Sequence, residues 1–311
     1  DATISVSQGG AAASDTRAVR CGGSQPSYPN VIDYITIATT GNAIDFGDMS
    51  DSVNETSVPG SNTRAVICGG ENDSPAIINT MEYITIASTG NTTDFGDLTA
   101  NRQAISKGSS SDNITGMLVG GLDNGGSVIN IIEQFTIAST GNSTDFGDLI
   151  TSTFSGGTAT NGHGGLSTTD FSQQYTTSAD DRAFYIGGID PSALNINEFN
   201  TFSGEGNTAD FGDLTATLYY NCAVASKTRI LSTGGVSGGS LTNKMESINP
   251  LTLGNSADQG DLTAGRRVQG GGFNKVRGLV AGGYEPTYFN QIDSIMTDSG
   301  GNATDFGDLT Q

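Results

Sequence analysis

His163 is the only histidine in the chain, and so the only side chain whose ordinary pKa would let it move a proton near neutral pH. A multi-histidine metal centre is excluded, and an imidazole-base mechanism would have to run through this one residue. Carboxylates are abundant instead, with 33 Asp and Glu against 13 Lys and Arg. Two carboxylates are enough to cleave a glycosidic bond, so composition alone leaves glycan cleavage open. Three cysteines, Cys21, Cys68 and Cys222, are too few and too odd in number for a disulfide framework. Cys21 and Cys68 each stand directly before a Gly-Gly pair, which reads as a small buried hydrophobe.

The net charge of -20 repels phosphate backbones and anionic lipid, so no nucleic-acid partner is expected. Insertion into a membrane is not expected either, because no apolar run approaches the ~20 residues needed to span a bilayer. The segment from Asp1 lacks the basic and apolar layout of a signal peptide. A strongly acidic surface also keeps a protein soluble in concentrated salt, which suits exposure to seawater.

These residues are distributed by a repeat. A Gly-Asn turn leading into Asp-Phe-Gly-Asp-Leu, or a near copy, begins at Gly41, Gly90, Gly141, Gly206, Gly254 and Gly301, with spacings of 49, 51, 65, 48 and 47 residues. An apolar run ending in Gly-Gly keeps step with it at Gly22, Gly69, Gly120, Gly187, Gly234 and Gly282. In the second unit, Arg64 to Cys68 reads as a buried strand, Thr80 to Ala87 as a β-branched and aromatic strand, and Thr93 to Leu98 as the returning outer strand. One four-stranded sheet cannot bury both faces, whereas sheets stacked radially cover one another.

The expectation is an all-β, six-bladed propeller of four-stranded antiparallel blades, one domain over 1–311. Blades fall near 1–50, 51–99, 100–149, 150–214, 215–262 and 263–311, with Ile4 to Ser7 as a candidate first strand. The long third spacing places about sixteen extra residues within Thr151 to Asp180, where a degenerate seventh blade is the alternative.

An acidic residue opens each third strand: Asp33, Glu82, Glu133, Glu198, Glu246 and Asp293. Five units carry Arg on the preceding strand, five residues before the Gly-Gly pair: Arg17, Arg64, Arg182, Arg229 and Arg277. A buried carboxylate demands a partner, so the pairs Arg17–Asp33, Arg64–Glu82, Arg182–Glu198, Arg229–Glu246 and Arg277–Asp293 are expected as structural ion pairs. Identical repetition in nearly every blade argues for structure over catalysis, and no catalytic residues are assigned.

The two aspartates of Asp-Phe-Gly-Asp invite a structural calcium ion. On a regular strand Asp94 and Asp97 point to opposite faces, so turn-capping is expected unless the strand bulges at Gly96, and no metal ligand or cofactor is assigned. Asn91, Asn142 and Asn302 lie in Asn-x-Thr sequences but also where a hairpin wants Asn.

Candidate binding residues lie where the repeat varies. The loops after each Gly-Gly differ sharply and should share one end of the ring, with Tyr28, Tyr288 and Phe289 as aromatic anchors. His163 and Tyr175 sit in the inserted segment.

Apolar runs into Gly-Gly, an aromatic on the next strand and a period near 50 residues resemble kelch-type propellers over essentially the whole chain. The chain has no Trp, and Phe46, Phe95, Phe146, Phe211 and Phe306 stand where such repeats use one, with Gln259 in the remaining copy. The run from Thr63 to Leu98 is similar to repeats of marine phage, especially cyanophage, tail-fibre and structural proteins. That resemblance implies a non-catalytic module on a virion, extracellular, contacting other virion proteins and a host-surface glycan or protein. A bacterial surface adhesin and a glycan-cleaving enzyme are the alternatives.

Overall fold

The structure is a computed structural model that describes residues 8–24, 28–39, 42–74, 76–103, 110–160, 182–226, 228–267, 270–273, 277–285, 287–288 and 290–308. Every regular element among them is a β-strand, in six four-stranded antiparallel sheets arranged as a ring and two short two-stranded hairpins, Val236–Ser237 with Ser240–Leu241 and Tyr284–Glu285 with Thr287–Tyr288. The first blade comprises Gly10–Ala13, Arg17–Cys21, Val31–Thr36 and Ile44–Asp48. The second comprises Val53–Asn54, Arg64–Asn72, Ile77–Thr85 and Thr93–Asp97, its first strand continued by backbone bridges at Ser57 and Gly60. The third uses Ser110–Ser111, Thr115–Val119, Ile131–Thr136 and Thr144–Asp148, and the fourth Gly157–Thr160, Arg182–Ile186, Ile196–Thr201 and Gly204–Asp213. Cys222–Ala225, Ile230–Thr233, Lys244–Ile248 and Ala257–Asp261 form the fifth, and Gly270–Phe273, Arg277–Ala281, Gln291–Met296 and Thr304–Asp308 the sixth.

The six-bladed expectation therefore holds, and the described residues form no seventh four-stranded sheet. The inserted segment falls between the first two strands of the fourth blade, and 161–181, with His163 and Tyr175, lie outside the described residues. Ile4 to Ser7 also lie outside them; the first described strand is Gly10–Ala13.

The apolar core lies between blades. Five clusters each join one blade to the next, from the first-second boundary, with Phe46 and Val53 beside Ile84 and Ile86, to the fifth-sixth, with Leu231 and Leu262 beside Val280 and Ile295. Phe46, Phe95, Phe146 and Phe211 are 2–3% exposed and fill these boundaries, but Phe306 is 54% exposed. Cys21 and Cys68 are free thiols at 0% exposure, as small hydrophobes would be.

Both sequence markers prove to be places where backbones nearly touch. Gly69 and Gly70 take φ of +58° and +116°, and the Gly70 N–H donates to the Arg102 carbonyl at 2.8 Å in the link to the third blade. A Cβ on Gly70 would stand 2.4 Å from the Asn54 carbonyl oxygen. Only glycine permits that φ and that approach together. In the outer strand, Gly96 takes φ +149° within a bulge, because Met81 pairs with Gly96 while Glu82 pairs with Asp94. Its missing Cβ makes room for the carbonyl of Gly141, the turn glycine of the next blade, at 2.5 Å.

The repeated acidic residues are buried, at 0–9% exposure, but the five expected ion pairs do not form. Register explains why: Arg64 is opposite Thr85 and Glu82 is opposite Ile67, three residues further along the strand, or about 10 Å. Arg17, Arg182 and Arg277 are offset from Asp33, Glu198 and Asp293 in the same way. Arg17, Arg64 and Arg182 instead lie over the rings of Tyr34, Tyr83 and Phe199 at 4.1–4.7 Å. Each donates from Nη1 to a carbonyl of the next blade, at Ile86, Ile137 and Pro250. Arg229 donates to Gln259 Oε1 at 3.0 Å, so Glu246 is left to Lys244, and Arg277 stands 5.8 Å from the Phe306 ring.

The carboxylates are held by the preceding blade's exit and by their own turns. Glu82 accepts from the Ser50 N–H and the Thr92 hydroxyl, and Glu198 from the Ile150 and Thr151 N–H groups and Thr208. Cations reach four of the six from elsewhere, as Arg20–Asp33, Arg102–Glu133, Lys244–Glu246 and Arg266–Asp293.

Candidate functional site

Strand polarity places the loops after Gly-Gly and the links into each first strand on the same end of the ring. At that end four non-glycine residues adopt left-handed backbone: Gln8 (φ 59°), Glu55 (53°), Ser155 (55°) and Tyr220 (54°). Gln8, Ser155 and Tyr220 precede the first strands of their blades by two residues, and Glu55 precedes the Ser57 bridge by two. The corresponding positions of the third and sixth blades lie outside the described residues.

The strain has a visible use. The Glu55 N–H donates to the Gln8 carbonyl at 3.1 Å, and the Tyr220 N–H to the Ser155 carbonyl at 3.0 Å. Left-handed backbone thus turns each N–H sideways to the preceding blade. Such conformations cost about 1–3 kcal/mol for a non-glycine residue and gather at functional sites.

Their side chains form a polar and aromatic rim. Gln8 Nε2 donates to Glu55 Oε1 at 2.6 Å. Tyr219 and Tyr220 stand 5.1 Å apart, and the Arg267 guanidinium lies 5.8 Å from the Tyr220 ring and 5.3 Å from Tyr284. Burial, reinforced by the charge of Glu55, pushes the Tyr220 phenol above its ordinary value. Tyr220 is therefore a protonated hydrogen-bond donor at neutral pH, not a phenolate.

Of the residues singled out by sequence, Tyr28 is on this end. Its hydroxyl donates to Glu71 Oε2 at 3.3 Å and its N–H to Asp73 Oδ1 at 2.9 Å. Burial and Glu71 raise its pKa. The backbone of Tyr288 pairs with Tyr284 in a short hairpin after the sixth Gly-Gly, while Phe289 lies outside the described residues. Sequence reasoning passed over Gln8, Glu55, Ser155, Tyr219, Tyr220 and Arg267. The four left-handed residues share a position but no residue type, so only their spacing from the first strand could have marked them.

This chain is a six-bladed β-propeller, and its likeness to solved structures extends over its whole length. The structure described as "Structure of YjhT" aligns with 99% of this chain and 99% of its own, at a TM-score of 0.77 and 10% identity. At that identity the likeness shows the fold alone. No family model and no curated protein matches the sequence.

A small cleft also opens on the Gly-Gly end, with Val53 and Gly69 in its lining. It lies between the first and second blades, lined by Met49, Asp51, Ile67, Thr80 and Glu82, and at about 110 Å³ it has room for a few waters. We place the site at the mouth because that is where backbone strain, aromatic faces and charged groups meet.

Among the described residues no group of three or more His, Cys, Asp or Glu is placed to hold a metal ion. The bulge at Gly96 does remove the spacing objection to calcium in Asp-Phe-Gly-Asp. Asp210, Asp258 and Asp305, however, each accept the N–H of the bulge glycine at 2.9–3.0 Å, which is the turn-capping role. Asn91, Asn142 and Asn302 each accept an outer-strand Asp N–H of the preceding blade at 3.0–3.1 Å.

Proposed function

We propose that this propeller is a non-catalytic binding module on a virion appendage, and that its Gly-Gly end takes a host-surface glycan. The observation that carries the reading is the set of four strained residues at the mouth, Gln8, Glu55, Ser155 and Tyr220. Tyrosine faces, an amide, a carboxylate and a guanidinium suit the faces and hydroxyls of a sugar. The Tyr220 hydroxyl can donate a hydrogen bond to a sugar oxygen. The viral setting is supported by the likeness of the repeats to marine phage proteins and by a charge suited to salt water.

Oligosaccharide arrays followed by calorimetry test the binding. Tyr220→Ala should weaken the best ligand about tenfold or more while the variant keeps its melting temperature. No retained glycan, or retention indifferent to Tyr220, overturns the reading. Polysaccharide turnover abolished by Glu55→Gln would replace it with an enzyme. Immunogold labelling of purified virions tests the setting, and label on bacterial surfaces instead would mark an adhesin.

A further inference from the structure

Val53 stands in the second blade where an arginine stands in the third and the sixth. Val53, Arg102 and Arg266 each follow the Met or Leu that closes the preceding outer strand, Met49, Leu98 and Leu262, by four residues. Their carbonyls accept the N–H of Gly23, Gly70 and Gly235, the second glycine of the preceding blade, at 2.7–2.9 Å. The side chains leave from one place as well. A Cβ on Gly70 would meet Val53 Cγ1 at 2.7 Å, and one on Gly121 would meet Arg102 Cγ at 3.1 Å.

In the two arginine blades the guanidinium meets the same pair of acceptors. Arg102 donates from Nη2 to Glu133 Oε1 at 2.6 Å and from Nη1 to the Ile131 carbonyl at 3.3 Å. Arg266 pairs through Nη2 with Asp293 and donates from Nη1 to the Gln291 carbonyl at 3.0 Å. The corresponding acceptors of the second blade are Glu82 and the Thr80 carbonyl, and both residues line the cleft of about 110 Å³. Glu82 is 9% exposed, and its Oε2 accepts from the Ser50 N–H and the Thr92 hydroxyl. Its Oε1, the counterpart of the oxygen that Arg102 holds, accepts no hydrogen bond among the described residues. Glu198 also meets no cation among the described residues, but the Thr151 N–H takes its Oε1, and Ile150 and Thr208 take its Oε2. Met49, Val53, Ile67 and Ile78 wall the cleft, and its lining contains no Lys or Arg.

We propose that this cleft receives a guanidinium group from outside the chain, either an arginine side chain or a small guanidinium compound. The guest completes the contact that Arg102 and Arg266 make internally. A guanidinium is planar and weakly hydrated, so it tolerates apolar walls while it directs its N–H groups to a carboxylate and a carbonyl. A metal ion fits less well, because no group of three or more His, Cys, Asp or Glu is placed to hold one among the described residues. The lining includes exposed Ser50 and Asp51, so the cleft reaches the surface. Asp51, fixed by Asn72 Nδ2 at 2.9 Å, adds a second carboxylate there, and the net charge of -20 draws cations toward it. None of the lining residues belongs to the rim at the mouth, so the site stands apart from the glycan reading.

The test is a titration of the protein, isotope-labelled in its methionine methyl groups, with methylguanidinium, followed by NMR. Met49 lines the cleft, so its methyl signal should shift saturably, while that of Met245, buried in the fifth blade, does not move. Methylammonium should bind about tenfold more weakly. Glu82→Gln, which keeps the shape of the side chain, should lose about tenfold in affinity for methylguanidinium. Val53→Arg supplies the guanidinium from within, and should bind none while it keeps or raises the melting temperature. Acetyl-arginine amide separates the sources: binding tighter than methylguanidinium marks a protein partner, exclusion marks a small compound, and either supports the cleft as the site. No saturable shift in the wild-type protein, equal affinity for methylammonium, or undiminished binding by Glu82→Gln overturns the proposal, and the first two need no variant to fold.

Discussion

Arg102 donates from Nη2 to Oε1 of Glu133 at 2.6 Å, and neither side chain exposes any surface. The arginine comes from the link into the third blade and the glutamate from that blade's third strand, so the pair ties a connection to the sheet it enters. Burial lowers the Arg102 pKa, and Glu133 opposes that shift.

Breaking this pair leaves an uncompensated buried charge, so Arg102→Met should cost about 3–5 kcal/mol in denaturant unfolding. Arg64→Ala, which removes a ring contact and a carbonyl hydrogen bond at a half-buried site, should cost about 1–2 kcal/mol. Equal losses in the two variants would mean that burial of the pair has been misjudged.

The touching glycines make a paired test. Gly96→Ala faces both a left-handed φ and a carbonyl at 2.5 Å, while Gly90→Ala at φ +155° meets nothing within 4 Å. Backbone strain alone is worth about 1–3 kcal/mol, and Gly96→Ala should exceed Gly90→Ala by a clear margin in chemical denaturation. A reversed order would show that the blades have slack at this joint.

Two equivalent glutamates should titrate in opposite directions. Burial pushes Glu198 up despite its hydrogen bonds from Thr208, Ile150 and Thr151. Burial also pushes Glu246 up, but Ser256, Thr215 and Lys244 outweigh it and hold the group below the ordinary value. The folded state therefore binds the Glu198 proton more tightly than the unfolded chain does, and this group's contribution to stability falls as pH rises through the ordinary Glu range to its raised value. Glu246 contributes stability above its unfolded value, and that contribution is lost as pH falls through its depressed folded value. Carboxyl-detected NMR titration should find the two on either side of an ordinary glutamate, and coincident midpoints would refute the assignment.

Burial pushes the Cys21 and Cys222 thiols up to about 12, and Cys68 well above its ordinary value. At pH 8 the thiolate fraction of Cys21 and Cys222 should be roughly a thousandfold below that of free cysteine. Ellman's reagent should therefore find no reactive thiol in the native protein and three after denaturation. Rapid labelling of one native thiol would reveal local opening around it.

The fold was legible because the repeat marks its own geometry: Gly-Gly and Asp-Phe-Gly-Asp recur wherever a blade must approach its neighbour. Burial of Glu82 and its equivalents followed from alternation with Ile84 and Ile86. The partner of Glu82 did not, since an arginine on the adjacent strand is too far away once three residues of register separate them. The mouth was less legible still, because Gln8, Glu55, Ser155 and Tyr220 are related only by a backbone angle. Residue type carries no trace of that angle when the neighbouring blade's carbonyl, not the side chain, selects it.

The contact of Gly96 with Gly141 joins the two ends of the repeated motif across adjacent units. Each copy therefore brings one half of the joint to the unit before it and the other half to the unit after it. Tandem duplication of such a segment can lengthen or shorten the array without any new interface having to arise, and every added copy is compatible with its neighbours from its first appearance.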